Sequence, residues 1–555
     1  MGGMGVDDLA GEFGRGRLDR RKALAAAVGG GVALSGLARL AMAAPGIRIA
    51  VSPEQLRPAY EYVIVGAGSA GCVLAHRLGQ AGRRVLLIEA GGPAKLAAIA
   101  EPPDWPELQG SEVDWRYATT PQPGLGGRVV PCPRGKVVGG SSAINALAYQ
   151  RGHPAAYDRW PEGWRHADLL PYFKRAETFS GGADAWRGGD GPLYVLSLAD
   201  VPDRTPVASA FIEASQDLGF PMTPDLGGAV TTGVGWNQLS IKGHRRDDAA
   251  TAYLGSLEGV AVDLLVGTQV LGLQVEGGRC IGVRLAERVV RPESEVLLCA
   301  GAIDSPRLLM LSGVGPADEL KSVGIPVVRD LPDVGRHLED HLLVAGVAYA
   351  AQREVPRSHY NHADSLLYVP HGEGPGPGPD PGPDLLVMCL SLPFVLPSVG
   401  VLAPPAYVLV PCLLQPRSRG SVRLASAEPL APALIDPNYL SEPADCDLLA
   451  EGIVLAREIG AAAAFADWRM REVYPGPSGA DIAGRRDFVL RAANSFHHPV
   501  GTCRLGAVVD GALRVEGIAG LRVVDASVLP GIPQAMVNAA TIAVAERASD
   551  LVLAG

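Results

Sequence analysis

Six consecutive residues, Gly66-Ala67-Gly68-Ser69-Ala70-Gly71, have the types and spacing of a turn that cradles a diphosphate, and Glu89 stands 18 positions after the last of them. Gly66 allows the tight turn, Gly68 lets backbone approach a pyrophosphate, and Gly71 lets a helix pack closely on a strand. The free N–H groups and positive dipole end of a helix that starts here favour the phosphates. Glu89 accepts from a ribose hydroxyl and repels a 2′-phosphate, which disfavours NADP. The elements needed to position these groups are present. Residues 62–65 read as a strand, 72–78 as a helix and 84–88 as a second strand, a complete βαβ unit. The unit alone does not separate FAD from NAD. A second chemically able feature is the adjacent pair His497-His498 before Pro499, two of only 11 histidines, whose imidazoles exchange protons near neutral pH.

Five further segments decide the cofactor. They are "PRGKVVGGSSAINALAYQRG" (residues 133–152), "LCAGAIDSPRLLMLSGVGP" (298–316), "LPDVGRHLEDH" (331–341), "FHHPVGTCRLG" (496–506) and "LRVVDASVLPGIPQAMVNAATIAVAERASDLV" (521–552). In type and order they closely resemble the signatures of the glucose–methanol–choline (GMC) family of FAD-dependent oxidoreductases. The resemblance implies FAD and an α/β fold. In it a discontinuous Rossmann-like FAD-binding domain carries an α+β substrate domain built on an antiparallel sheet. It also implies that Val138, Ser142, Asn145 and Ala148 run along the flavin, where small residues and free N–H groups meet a flat ring. Some members attach FAD through a His at the position of Ile144, so non-covalent FAD is expected here. Val270, at the end of the strand-like run over residues 264–270, matches a contact to the adenine end, although strand-core filling is as good a reading of it. Asp525-Ala526 match a contact to the pyrophosphate and flavin, with a helix over residues 537–551 pointing its N-terminus at the ring.

The family's catalytic His precedes the Pro of the fourth segment, which selects His498. Oxidising an alcohol removes a proton from oxygen and a hydride from carbon; an imidazole suits the first and flavin N5 the second. The bland reading is a His that satisfies a loop carbonyl. His497 ranks second and is expected to point elsewhere along an extended approach to the Pro. The family's second active-site residue, usually His or Asn, falls ten residues before Glu546, where this chain has Met536. Asn538 is therefore the second catalytic candidate, and catalysis by His498 alone beside an apolar wall is the alternative. This departure also keeps open a lyase or light-driven decarboxylase on the same fold, or an exported flavoprotein that carries electrons without turnover.

The 555 residues exceed one simple core, and with only 19% charged residues and a net charge of −10 spread along the chain no nucleic-acid surface is expected. The FAD-binding part is expected at residues 60–152, 251–341 and 494–555, with 153–250 and 342–493 covering the substrate. Residues 1–44 read as an export leader of twin-arginine type. It has Arg20-Arg21, a weakly apolar stretch too short and too rich in Gly to span a membrane, and Ala41-Met42-Ala43 as a cleavage pattern. The expected location is therefore periplasmic or extracellular. The eight cysteines show no metal spacing, and Cys72 and Cys299 sit in apolar contexts that suit buried free thiols. The Pro/Gly run at residues 374–383 reads as a surface loop, and the apolar runs at 385–390 and 407–414 as cavity walls or sheet core. Few charges lie among them, which favours a neutral alcohol over a choline-like cation. Oxygen, a quinone or another carrier remains open as the acceptor.

Overall fold

The computed structural model describes residues 47–50, 52–257, 262–370 and 382–555. The leader-like residues 1–44 and most of the Pro/Gly run lie outside them.

Short runs of Val, Ile and Leu without polar interruption form strands buried on both faces, and such strands assemble as a parallel sheet covered by helices. The sheet order is Ile47–Ala50, Val262–Leu265, Val85–Ile88, Tyr60–Val65, Pro292–Leu298 and Leu521–Val523, every pairing parallel. Tyr60–Val65 is central. The next strand in sequence lies on one side of it and Pro292–Leu298 on the other, so winding reverses there and a crevice opens at the strands' carboxyl ends. The strand expected to run on to Val270 stops at Leu265, because Gly267 turns left-handed (φ 64°) and its N–H goes to Gly91 O.

Helix Ser69–Gln80 follows the central strand and packs against the C-terminal helix Val537–Ala554. The buried Glu546 fastens this contact, accepting from Arg77 Nε and Nη2 (both 2.8 Å), Arg175 Nε (2.7 Å) and Tyr253 Oη (2.8 Å). Arg175 ends helix His166–Ala176, whose Leu169 and Phe173 share the parallel sheet's core. Residues 153–197 thus pack on the nucleotide side. Within 153–250, helix Pro206–Asp217 and strand Gly233–Trp236 are the parts that join the second sheet's core or ladder.

That second sheet is eight-stranded and antiparallel. Its main path is Arg469–Tyr474, Val347–Ala351, Ala406–Leu413, Leu385–Leu390, Ser365–Val369 and Gly233–Trp236. Side chains alternate across it. Leu385, Val387 and Cys389 face the helices Pro206–Asp217 and Pro443–Ala461, whereas Leu386, Met388 and Leu390 join the cluster that contains Met536. Two short strands, Leu342–Val344 and Ala493–Ser495, tie this sheet to the crevice. All eight cysteines are free thiols, and among the described residues no helix is long and apolar enough to cross a membrane.

Candidate active site

A cavity of about 360 Å³ runs from the carboxyl ends of the parallel strands to the antiparallel sheet. Gly66, Gly68, Ser69, Ala70 and Glu89 line one end. Gly71 does not line it. A Cβ at Gly71 would stand 1.9 Å from Gly66 O, so only glycine lets the helix begin against the turn. A Cβ at Gly140 (φ 54°) would lie 2.6 Å from Gly68 Cα, so the two glycine loops meet backbone to backbone along the cavity. Glu89 accepts from Ala67 N (2.9 Å) and Gly91 N (2.8 Å), while burial pushes its carboxyl up to about 7 against these bonds. Each carboxylate oxygen retains acceptor capacity for a ribose hydroxyl.

Three helices, Ser69–Gln80, Gly301–Leu311 and Val537–Ala554, start at this cavity, and none has a side-chain cap at its N-cap residue (Gly68, Ala300, Met536). The helix starts at Ser69 and Val537, with their N–H groups and positive dipole ends, form a donor set suited to a diphosphate and an electron-rich ring edge, while the start at Gly301 is met by the Asp525 carboxylate. Asp525 ties the end of strand Leu521–Val523 to helix Gly301–Leu311, accepting from Gly301 N (2.8 Å), Ser305 Oγ (2.5 Å) and Ser527 N (2.8 Å). Asn145 Oδ1 accepts from Leu147 N (2.9 Å) and the buried Arg246 Nη1 (2.8 Å), and Asn538 Oδ1 accepts from Ser69 Oγ (2.6 Å). Both carboxamides therefore keep their NH2 donors for a ligand.

His498 sits where the two sheets join. Leu342 pairs with Ser495 and Glu339 with Val500, so Asp340 and His341 stand opposite the four residues 496–499. The longer strand bulges to take up the excess, with His497 left-handed at φ 65° rather than extended as expected. Asp340 holds the bulge from behind, accepting from His498 N (2.7 Å), Ser495 Oγ (2.6 Å) and Tyr439 Oη (2.5 Å). His498 Nδ1 lies 3.0 Å from His341 Nδ1, and His341 Nε2 lies 3.0 Å from Leu414 O. Burial, then the neighbouring His341, Arg134 and His497, hold the His498 imidazolium pKa well below the usual range, so the ring is neutral. His497 borders both this cavity and a small void behind it, and its Nδ1 lacks a hydrogen-bond partner.

Around His498 the wall is made by Leu343, Met388, Leu390, Phe394, Phe496 and Met536. Met536 Sδ accepts from Tyr368 Oη at 3.6 Å, on the antiparallel sheet's side. The amides in this part, Asn237 and Asn361, are bonded to Gln150, Gln238, Ala363 and Ala146. Among the described residues the carboxylates lining the cavity are Glu89, Asp304 and Asp525, all on the parallel-sheet side. Asp304 is bonded to Arg307 and Tyr117.

Comparison with known proteins agrees with this geometry. The GMC oxidoreductase N-terminal profile matches residues 60–343 and its C-terminal counterpart residues 416–545. The chain belongs to the GMC oxidoreductase family. It is 38% identical over 513 residues to pyridoxine 4-oxidase of Microbacterium luteolum, covering 88% of this chain and 98% of that one. Mitochondrial choline dehydrogenase of Homo sapiens is 37% identical over 551 residues, covering 91% of each chain. The crystal structure of pyridoxine 4-oxidase from Mesorbium loti superposes with a TM-score of 0.84 at 38% identity, covering 88% and 98% of the two chains. Formate oxidase of Aspergillus oryzae superposes with a TM-score of 0.81 at 25% identity, covering 90% of this chain and 99% of that one. As a GMC oxidoreductase the chain is an FAD-dependent enzyme of alcohol oxidation, and its donor set fits that cofactor.

Of the residues the sequence singles out, Gly66, Gly68, Ser69, Ala70, Glu89, Asn145, Ala148, Val270, Asp525, Ala526, His498 and Asn538 line the GMC cavity. Ala67, Gly71, Val138 and Ser142 stand behind its wall. Ala67 N–H holds Glu89, Val138 N–H goes to Gly92 O (3.1 Å), and Ser142 Oγ donates to Gly139 O (2.6 Å) while accepting from Ala249 N (3.0 Å). Asp340, His341 and Arg246 escaped the sequence reading. The first two lie in "LPDVGRHLEDH", whose family likeness carries no signal of these contacts.

Proposed function

We propose that this chain oxidises a neutral primary alcohol borne on a flat apolar group, such as an aryl-methanol, with His498 as the sole base. The observation that carries the reading is the substrate end of the cavity. It is a neutral imidazole facing an apolar wall that includes Met388 and Met536; among the described residues no carboxylate lines this end, because Asp340 stands behind His498 and is occupied by its backbone N–H, Ser495 and Tyr439. Thioethers suit ring edges and faces. The hydroxyl proton passes to His498, leaving its electron pair on oxygen. FAD, when bound, supplies the hydride acceptor. The cavity's apolar wall excludes water and keeps the carbinol carbon oriented while Arg134, whose Nη2 donates to His497 O (2.5 Å), adds positive charge beside the developing oxyanion. We also propose that the FAD is non-covalent, because Ile144 offers no nucleophile, and that residues 1–44 direct twin-arginine export, on the strength of Arg20-Arg21 and Ala41-Met42-Ala43.

The test is anaerobic mixing of the leader-free holoprotein with aliphatic, aryl, sugar and cationic alcohols while following the visible flavin band. Bleaching by aryl-methanols and not by choline supports the proposal, and admitting air or a quinone then names the acceptor. Faster bleaching by choline than by any neutral alcohol overturns the substrate class. Bleaching by none overturns the alcohol reading and turns attention to a lyase or an electron carrier.

A further inference from the structure

His341 is wholly buried, lies outside the cavity wall and touches neither substrate space nor cofactor space. Yet its ring bridges two groups in line, Leu414 O on one side and His498 Nδ1 on the other, each at 3.0 Å. A carbonyl only accepts, so the His341 proton that reaches Leu414 is on Nε2. A neutral His341 then has a lone pair on Nδ1, and a contact between two ring nitrogens needs one proton between them. That proton must be on His498 Nδ1. A neutral His498 so protonated has its lone pair on Nε2, the nitrogen remote from His341 and free for the cavity.

We propose that His341 is a positioning residue that fixes His498 as its Nδ1–H tautomer, so that Nε2 is the nitrogen that takes the hydroxyl proton. The inference rests on the reading of His498 as the base. The step balances simply: the alcohol O–H bond breaks, the Nε2–H bond forms, and His498 becomes an imidazolium still donating from Nδ1 to His341. The acceptor is a neutral ring and not a carboxylate. It orients the base without binding the proton tightly, and the proton is returned easily. Other groups act on this pair. The carbonyls of Leu414 and Pro533 face His341, Arg134 and His497 stand beside His498, and burial holds His341 down to about 3, neutral throughout the working range. The two rings meet edge to face, centroids 5.2 Å apart and planes at 85°, with Phe496 packed 4.5 Å from His498. The bulge at residues 496–499 gives His498 the reach to make this contact, and the pairing Phe496 N to His341 O (2.8 Å) sets its register.

The test uses ring-15N-histidine holoprotein, with His498→Gln to assign the signal, and the variants His341→Phe and His341→Asn. In the parent, His498 should show a protonated Nδ1 and an unprotonated Nε2. His341→Phe should lose that single tautomer and slow anaerobic flavin reduction on the order of 100-fold with KM within about two-fold, while His341→Asn, whose Oδ1 falls near the old Nδ1, should recover about ten-fold of the loss. A parent His498 protonated on Nε2 overturns the proposal, as does a folded His341→Phe enzyme that reduces at the parental rate. Should His341→Phe fail to fold, the parent spectrum still decides. If no alcohol reduces the flavin, the spectrum separates failure of the tautomer assignment from failure of the base assignment.

Discussion

The two halves of this molecule that enclose the cavity are built on different kinds of constraint. On the parallel-sheet side the tightest contacts that shape the cavity are backbone to backbone, Gly66 against Gly71 and Gly68 against Gly140, beside helix starts that carry no side-chain cap at Gly68 and Met536. At Gly66, Gly71 and Gly140 no side chain can be added without moving main chain. On the antiparallel side the wall is side-chain volume, Met388, Leu390, Phe394 and Met536, and the backbone behind it is an ordinary ladder. The end of the cavity that fits a cofactor common to the family is thus shaped by features that tolerate almost nothing, and the end proposed for the alcohol by features that tolerate much. The relatives fit this division, since enzymes named for pyridoxine and for choline are nearly equally similar to the chain, at 38% and 37% identity.

The sharpest way to break the comparison is Gly71→Ala. Its methyl would press on Gly66 O, and relief requires shifting the turn or the helix, a strain of about 1–3 kcal/mol or more at the point where the diphosphate is cradled. The expected outcome is protein purified with little flavin and a lowered melting temperature, read from the visible-to-ultraviolet absorbance ratio and a thermal scan. Parental flavin content and stability would show that the backbone constraint is softer than stated. The next largest effect lies at the seam. His498→Ala should keep its FAD and slow reduction by an alcohol by about 10²- to 10⁴-fold. The competent His498 is neutral, and burial with neighbouring positive charge lowers its pKa. The rate should therefore be flat above the ordinary histidine value and fall only as pH drops below about 6.5. A limb centred above that value would mean that the Asp340 carboxylate behind His498 and the His341 contact at its Nδ1 stabilise the imidazolium more than burial and Arg134 destabilise it.

What the sequence made legible follows the same division. The nucleotide turn, its strands and the helix at Val537–Ala554 were readable because glycine spacing and unbroken apolar runs leave one solution. The unbroken apolar run Leu385–Leu390 reads as a strand but not as one with a particular face to the cavity. Both faces are apolar, and only the fold shows that Met388 and Leu390 reach the substrate space while Val387 and Cys389 meet helices. His497 was misplaced because a bulge leaves no mark in residue types. His341 passed unread because its role depends on a strand register, Leu342 against Ser495, between segments about 150 residues apart, which no local pattern encodes.

The smallest predicted effect tests where the two halves meet, at the start of helix Val537–Ala554. Met536 and Asn538 are two residues apart, and the sequence left undecided which of them serves as the second active-site group. In the structure they belong to different halves. Met536 packs with the antiparallel sheet and accepts from Tyr368, while Asn538 turns the other way and accepts from Ser69 at the nucleotide helix. Met536→Leu conserves volume and removes only a weak sulfur acceptor, so it should cost less than about 1.5 kcal/mol, appear as a modest change in KM for aryl alcohols, and leave the reduction rate and FAD content as they were. Asn538→Leu, by contrast, strands the Ser69 hydroxyl and removes an amide donor from the cofactor side, so the flavin should be lost more readily on dilution while KM holds. If Met536→Leu instead slowed reduction at saturating alcohol, the thioether would be acting on the reacting oxygen. The boundary between the halves would then run one helical turn further along than the contacts of Tyr368 and Ser69 now draw it.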